Sequence, residues 1–170
     1  QFDRVFRTLK QLKDEGRRMT LCEGFFLPAW LMPEQGRLPA DKHDELIESI
    51  AAFMVRAREV YGVTIDYFEF NEPNGILQLS PDGLAQLYKR LSARFSQLGI
   101  TTRLLPASTD SPISAVEYAT PILLDAQVRP LVHAVDYHSY GAEEQPDIVF
   151  ERIAAFAKSY GLPVSVTELG

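Results

Sequence analysis

Asp66-Tyr67-Phe68-Glu69-Phe70-Asn71-Glu72-Pro73-Asn74 is the stretch on which the fold turns. Its aromatic first half continues the β-branched run Val63-Thr64-Ile65, the composition of a strand. Its second half stops that strand. Pro73 has no N–H for a ladder and disfavours a helical backbone at Glu72. Strict alternation puts Tyr67, Glu69 and Asn71 on one side and Phe68, Phe70 and Glu72 on the other, unless the chain bends at Asn71. On that alternation Glu69 pairs with a cation or packs behind any site that Glu72 serves. Glu72 stands at a strand exit, where a carboxylate can point into a cleft. Read alone, it is more simply a solvated loop residue.

Working outward, helix and strand patterns alternate along the chain. Phe2, Val5, Phe6, Leu9 and Leu12 recur at helical spacing before Gly16, and Met19 to Glu23 reads as a strand. A proline-rich loop, Phe25 to Pro39, carries the only tryptophan, Trp30. Asp41 is placed to cap a helix bearing Leu46, Ile47, Ile50, Met54, Ala57 and Val60, closed by Gly62. Ser80-Pro81 and Ser111-Pro112 each pair a capping hydroxyl with proline at the first helical position. Thr102 to Leu105, Val132 to Tyr137 and Pro163 to Thr167 are the remaining strands, with a helix from Pro146 before the last.

Five strands, each preceded by a helix, predict an α/β fold with a parallel sheet and right-handed crossovers. That leaves a doubly wound sheet or part of a (β/α)8 barrel. Polar and aromatic residues follow each strand: Glu23; Asn71 and Glu72; Ser108 to Asp110; His138 and Tyr140; Glu168. A barrel enzyme gathers its chemistry at this face. The dinucleotide alternative needs a glycine-rich turn, and no G-x-G-x-x-G, Walker loop or H-E-x-x-H occurs.

Composition narrows the classes further. The 170 residues are 46% hydrophobic and 24% charged, values of a globular domain rather than a disordered chain. One cysteine excludes an internal disulfide, and Cys22 reads as a small core residue. A net charge of −6 argues against binding nucleic-acid phosphates, and no run of eighteen apolar residues could span a bilayer. His43 and His133 lack partner spacing for a metal, so no metal or cofactor is expected.

A second glutamate changes the weight of Glu72. Glu168 follows Val164-Ser165-Val166-Thr167 directly, so parallel strands bring both carboxylates to one end of the sheet. Glycoside cleavage uses such a pair, one proton donor and one nucleophile or base. Asn71-Glu72-Pro73 after one strand and Thr167-Glu168 three strands later resemble the clan A glycoside hydrolases. An Asn-Glu-Pro triplet arises by chance in roughly 2% of chains this long. Glu59-Val60-Tyr61-Gly62-Val63 and Leu27-Pro28-Ala29-Trp30-Leu31-Met32 are similar to families 30 and 39 in particular.

The resemblance implies barrel strands 3 to 7, about five of eight βα units, so that residues 1–170 form a single incomplete catalytic domain. It implies a retaining O-glycoside hydrolase acting on β-linked oligo- or polysaccharides or glycosides. Glu72 would be the acid/base, with a raised pKa, and Glu168 the nucleophile. Asn71 would bind the sugar 2-hydroxyl. Tyr140, with Tyr137 as a competing choice, would hold Glu168 ionised, and His138 would line the sugar site unless it merely caps a turn. Trp30 would stack on a sugar ring or pack its own loop. Secretion, a periplasm or a lysosome-like compartment goes with that clan. A non-catalytic carbohydrate-binding barrel module is the alternative. Unpaired outer strands predict that the segment alone is poorly stable and shows little activity.

Overall fold

The computed structural model describes residues 2–23, 27–31 and 37–169. Among the described residues five α-helices and five strands alternate: α1 Phe2–Asp14, β1 Thr20–Glu23, α2 His43–Tyr61, β2 Tyr67–Phe70, α3 Pro81–Gln97, β3 Arg103–Leu105, α4 Ala115–Leu124, β4 Val135–His138, α5 Asp147–Ser159 and β5 Val164–Glu168. All pairings are parallel. β1 pairs with β2, β2 with β3, and β4 with β5. Single bridges, Leu104 to Val132 and Thr109 to Tyr137, join β3 to β4. Spatial order therefore follows chain order. A doubly wound sheet reverses its strand order, and no reversal occurs among the described residues.

The gap between the two β3–β4 bridges has a local cause. Pro106 offers no N–H, and the next two amides turn to a side chain. Ala107 and Ser108 donate to the Asp136 carboxylate at 3.0 and 2.8 Å. A buried carboxylate thus satisfies backbone donors that the ladder leaves unpaired.

The helices cover one face of the strands. Phe68 and Phe70 point toward α3 and are fully buried, their rings edge-on at 4.8 Å, with Tyr88 and Phe95 around them. Burying side chains of this size supplies most of the driving force, about 2–3 kcal/mol each. The Tyr88 hydroxyl donates to the Leu105 carbonyl at 2.7 Å and accepts from the Phe70 N–H at 3.3 Å, tying α3 to two strands.

Helix punctuation partly follows the expected signals. Gly62 ends α2 at φ +66°, its N–H bonding the Ala57 and Arg58 carbonyls. Ser80 caps α3 by accepting from the Gly83 N–H at 3.1 Å. Asp41 does not cap α2: it lies in a 3-10 turn, Ala40–Lys42, and the helix starts at His43 without a side-chain cap. Ser111-Pro112 likewise opens a 3-10 turn rather than α4 itself. Of the proline-rich loop, residues 25–26 and 32–36 lie outside the described residues. Among the described residues no helix is long and apolar enough to cross a membrane.

Candidate active site

The strand exits bring five of the six expected residues together. Glu72 leaves β2 with φ +40°, a left-handed backbone that costs a non-glycine residue on the order of 1–3 kcal/mol. This is the bend at Asn71 that alternation does not anticipate. The Asn71 N–H still pairs with the Glu23 carbonyl at 2.8 Å, but the Glu72 N–H turns to the Ser108 carbonyl at 3.0 Å. The side chain is thereby swung to the same side as Asn71, opposite to its expected position. Glu168 is re-aimed too. The β4–β5 register shifts between Tyr137 and His138, so Glu168 comes opposite His138.

His138 links the two carboxylates. Its ring is fully buried, with Nδ1 3.2 Å from Glu72 Oε1 and 3.5 Å from Glu168 Oε2. Glu168 accepts from Asn71 Nδ2 at 2.8 Å on one oxygen and from the Tyr140 hydroxyl at 3.0 Å on the other. That bond and the Glu168 charge hold the Tyr140 phenol above its usual range. Tyr137 is excluded as the partner of Glu168, because its ring faces Phe150 of α5 at 6.3 Å. Trp30 is 57% exposed on its loop. Among the described residues no ring or hydrogen-bond contact joins it to the carboxylates.

One oxygen of Glu72, one of Glu168 and a ring nitrogen of His138 lie within 4.8 Å of one another. Carboxyl groups about 5–5.5 Å apart suit a nucleophile and an acid acting on opposite sides of one bond; about 6.5–9.5 Å would leave room for a water. The same three groups could also ligate a cation, though each already has a hydrogen-bond partner within the cluster.

Directly beneath lies a buried acidic layer whose Asp136 sequence reasoning did not anticipate. Glu69 packs behind the site, one of its two expected places: it is 3% exposed on the inner face and, among the described residues, pairs with no cation. Its Oε2 instead meets the Ser108 hydroxyl at 2.9 Å. The same hydroxyl contacts Asp136 Oδ2. A hydroxyl carries one hydrogen, so both contacts are hydrogen bonds only when one carboxyl is protonated. Burial pushes Asp136 up to about 7, against the pull of the Ser108 hydroxyl and the Ala107 and Ser108 amides. Cys22 is not a core residue. It sits on the inner face 3.2 Å from Asn71 Nδ2, and desolvation, with the Glu69 carboxylate next, pushes its thiol up to about 12. The signal for this layer was the two-residue spacing of Asp136 and His138 within an otherwise apolar strand.

No family model matches the chain, and no curated protein sequence does. Solved structures do. The backbone is similar to a family 30 subfamily 8 glycoside hydrolase, a xylanase from Clostridium acetobutylicum, with TM-score 0.71 and 15% identity over 94% of this chain and 41% of that one. It is similar to a GH30 endoxylanase from Clostridium papyrosolvens C71, with TM-score 0.66 and 17% identity over 91% and 42%. A conserved exported protein from Bacteroides fragilis matches with TM-score 0.71 and 19% identity over 93% and 40%. The chain spans about two fifths of the length of these structures. Over more than nine tenths of its own length, it has the fold of glycoside hydrolase family 30.

Proposed function

We propose that this chain is the central part of a retaining O-glycoside hydrolase for β-linked substrates, residues 1–170 supplying strands 3 to 7 of a (β/α)8 barrel in one incomplete catalytic domain. The observation that carries the reading is the approach of Glu72 and Glu168 to within 4.8 Å across His138. The chain-order sheet and the family 30 fold support it.

In this mechanism Glu168, held by Asn71 and Tyr140, attacks the anomeric carbon. Glu72, held by His138, gives its proton to the leaving oxygen. The C–O bond breaks as the ester to Glu168 forms. Glu72 then takes a proton from water, which displaces Glu168 and restores the starting configuration. Two inversions give net retention. Asn71 beside Glu168 is the proposed contact of the sugar 2-hydroxyl, and exposed Trp30 a proposed stacking surface. The substrates are β-linked oligo- or polysaccharides. Xylan and aryl β-xylosides are the first to assay, given the xylanases that share the fold.

The test uses the complete protein. Glu72→Ala and Glu168→Ala each lose most turnover. Azide restores the Glu72 variant on an activated β-glycoside and gives the β-glycosyl azide, because two displacements still occur. With the Glu168 variant azide attacks once and gives the α-azide. Near-normal activity in either variant sinks the assignment. Sugar binding without hydrolysis by the unmutated protein would favour a carbohydrate-binding module instead.

A further inference from the structure

Resting on the hydrolase reading, we propose that Asp136 and Ser108 are positioning residues for Glu72, aiming the proton donor from beneath the site. The inner face of β4 carries Asp136 and His138 two residues apart. His138 meets the Glu72 side chain at 3.2 Å. Asp136 reaches the Glu72 main chain through one intermediary. Its two oxygens accept the Ala107 and Ser108 N–H groups, and the Ser108 carbonyl accepts the Glu72 N–H at 3.0 Å. One strand thus grips Glu72 at both ends.

The backbone explains why that grip is needed. Glu72 and Ser108 have φ +40° and +39°, left-handed conformations at adjoining strand exits, joined by that single backbone bond. Such geometry persists only where its surroundings over-determine it. Asp136 supplies the constraint by accepting two backbone N–H groups of one turn and by its contact with the Ser108 hydroxyl. A fully buried carboxylate is costly for folding alone. The titratable groups that act on it are Glu69 of β2 and Tyr88 of α3.

Asp136→Asn keeps the shape but offers one oxygen where two backbone donors point, so the turn relaxes and Glu72 shifts. A displacement of about 1 Å costs on the order of 100-fold in a step that needs the displaced group. Only proton donation and water activation need Glu72; attack by Glu168 does not. The experiment measures kcat/KM of the complete protein on dinitrophenyl and phenyl glycosides of one sugar. Dinitrophenolate leaves unaided, whereas phenolate needs the proton. Asp136→Asn is expected to lower kcat/KM for the phenyl glycoside roughly 10- to 100-fold and to leave the dinitrophenyl glycoside unchanged. Ser108→Ala, which retains both backbone N–H bonds, shifts the ratio the same way by less. The ratio within one preparation does not depend on the folded fraction. If Asp136→Asn yields no folded protein, Ser108→Ala decides alone. Equal losses on both substrates, or an unchanged ratio, overturn the proposal. An unmutated protein that hydrolyses neither substrate overturns the hydrolase reading instead.

Discussion

The buried Asp136 makes stability fall as pH rises through the weakly acidic range. Its carboxyl moves from an ordinary 3.8 to about 7 in the folded chain, chiefly through burial. Below about pH 4 both folded and unfolded states carry the proton, and its contribution to stability is full. Between about 4 and 7 the unfolded chain releases the proton while the folded chain keeps it, so the unfolded state binds fewer protons and stability drops with pH. Above about 7 both states are ionised and the loss is complete. A shift of about three pH units at 1.36 kcal/mol per unit sets the loss at roughly 4 kcal/mol at most. That is a large part of the 5–15 kcal/mol of an ordinary domain. Other carboxylates act in the opposite sense. Asp66, despite its desolvation, is held below its usual range by Lys13 and the Met19 amide. The comparison therefore sets the unmutated complete protein against Asp136→Asn, which cannot titrate at that position. Urea unfolding followed by circular dichroism, at steps between pH 4 and 8, reads the difference. The unmutated protein should lose several kcal/mol relative to the variant between about pH 4 and 7, then run parallel. A difference that does not change with pH refutes the reasoning.

Three further outcomes are expected. Tyr140→Phe removes the hydroxyl 3.0 Å from Glu168 and should lower kcat/KM roughly tenfold with little change in thermal stability, because the residue is 42% exposed. Prolonged dialysis against a chelator should leave hydrolysis unchanged, since the proposed mechanism needs only a proton donor and a carboxylate nucleophile; activity lost and restored by a divalent cation would reassign Glu72, His138 and Glu168 as ligands. The 170-residue chain alone should associate on concentration, because β1 and β5 are each paired on one side only and Val164 and Val166 stand 40% exposed. A sharp, cooperative, monomeric melt in analytical ultracentrifugation and calorimetry would contradict this.

What could be read from the chain before its structure follows from where local physics dominates. Gly62 and Ser80-Pro81 act through backbone conformation and a single hydroxyl, so they mark their helix ends correctly. Asp41 and Ser111 carry the same signals, yet Asp41 lies within a 3-10 turn and Ser111 precedes one, and these turns use up the residues a cap would serve. The alternating helices and strands were legible from periodicity, and the two glutamates from their places after β-rich runs. Their orientations were not. Alternation describes a regular strand, and Glu72 and Glu168 both sit where regularity fails, at a left-handed residue and at a register shift. Asp136 escaped notice because one acid in Val-Asp-Tyr-His reads as a solvated position. Only the fold reveals that Pro106 breaks the ladder and leaves two amides for that carboxylate to accept.

The central claim is that Glu168 becomes covalently bonded to the sugar while Glu72 does not. A 2-fluoro glycoside with a dinitrophenyl leaving group slows both steps but lets the first outrun the second, trapping the intermediate. Incubated with the complete protein and digested, it should yield one modified peptide by mass spectrometry, with the added sugar on Glu168. A sugar found on Glu72 or any other side chain, or hydrolysis of the parent glycoside with inversion at the anomeric carbon, would contradict the account.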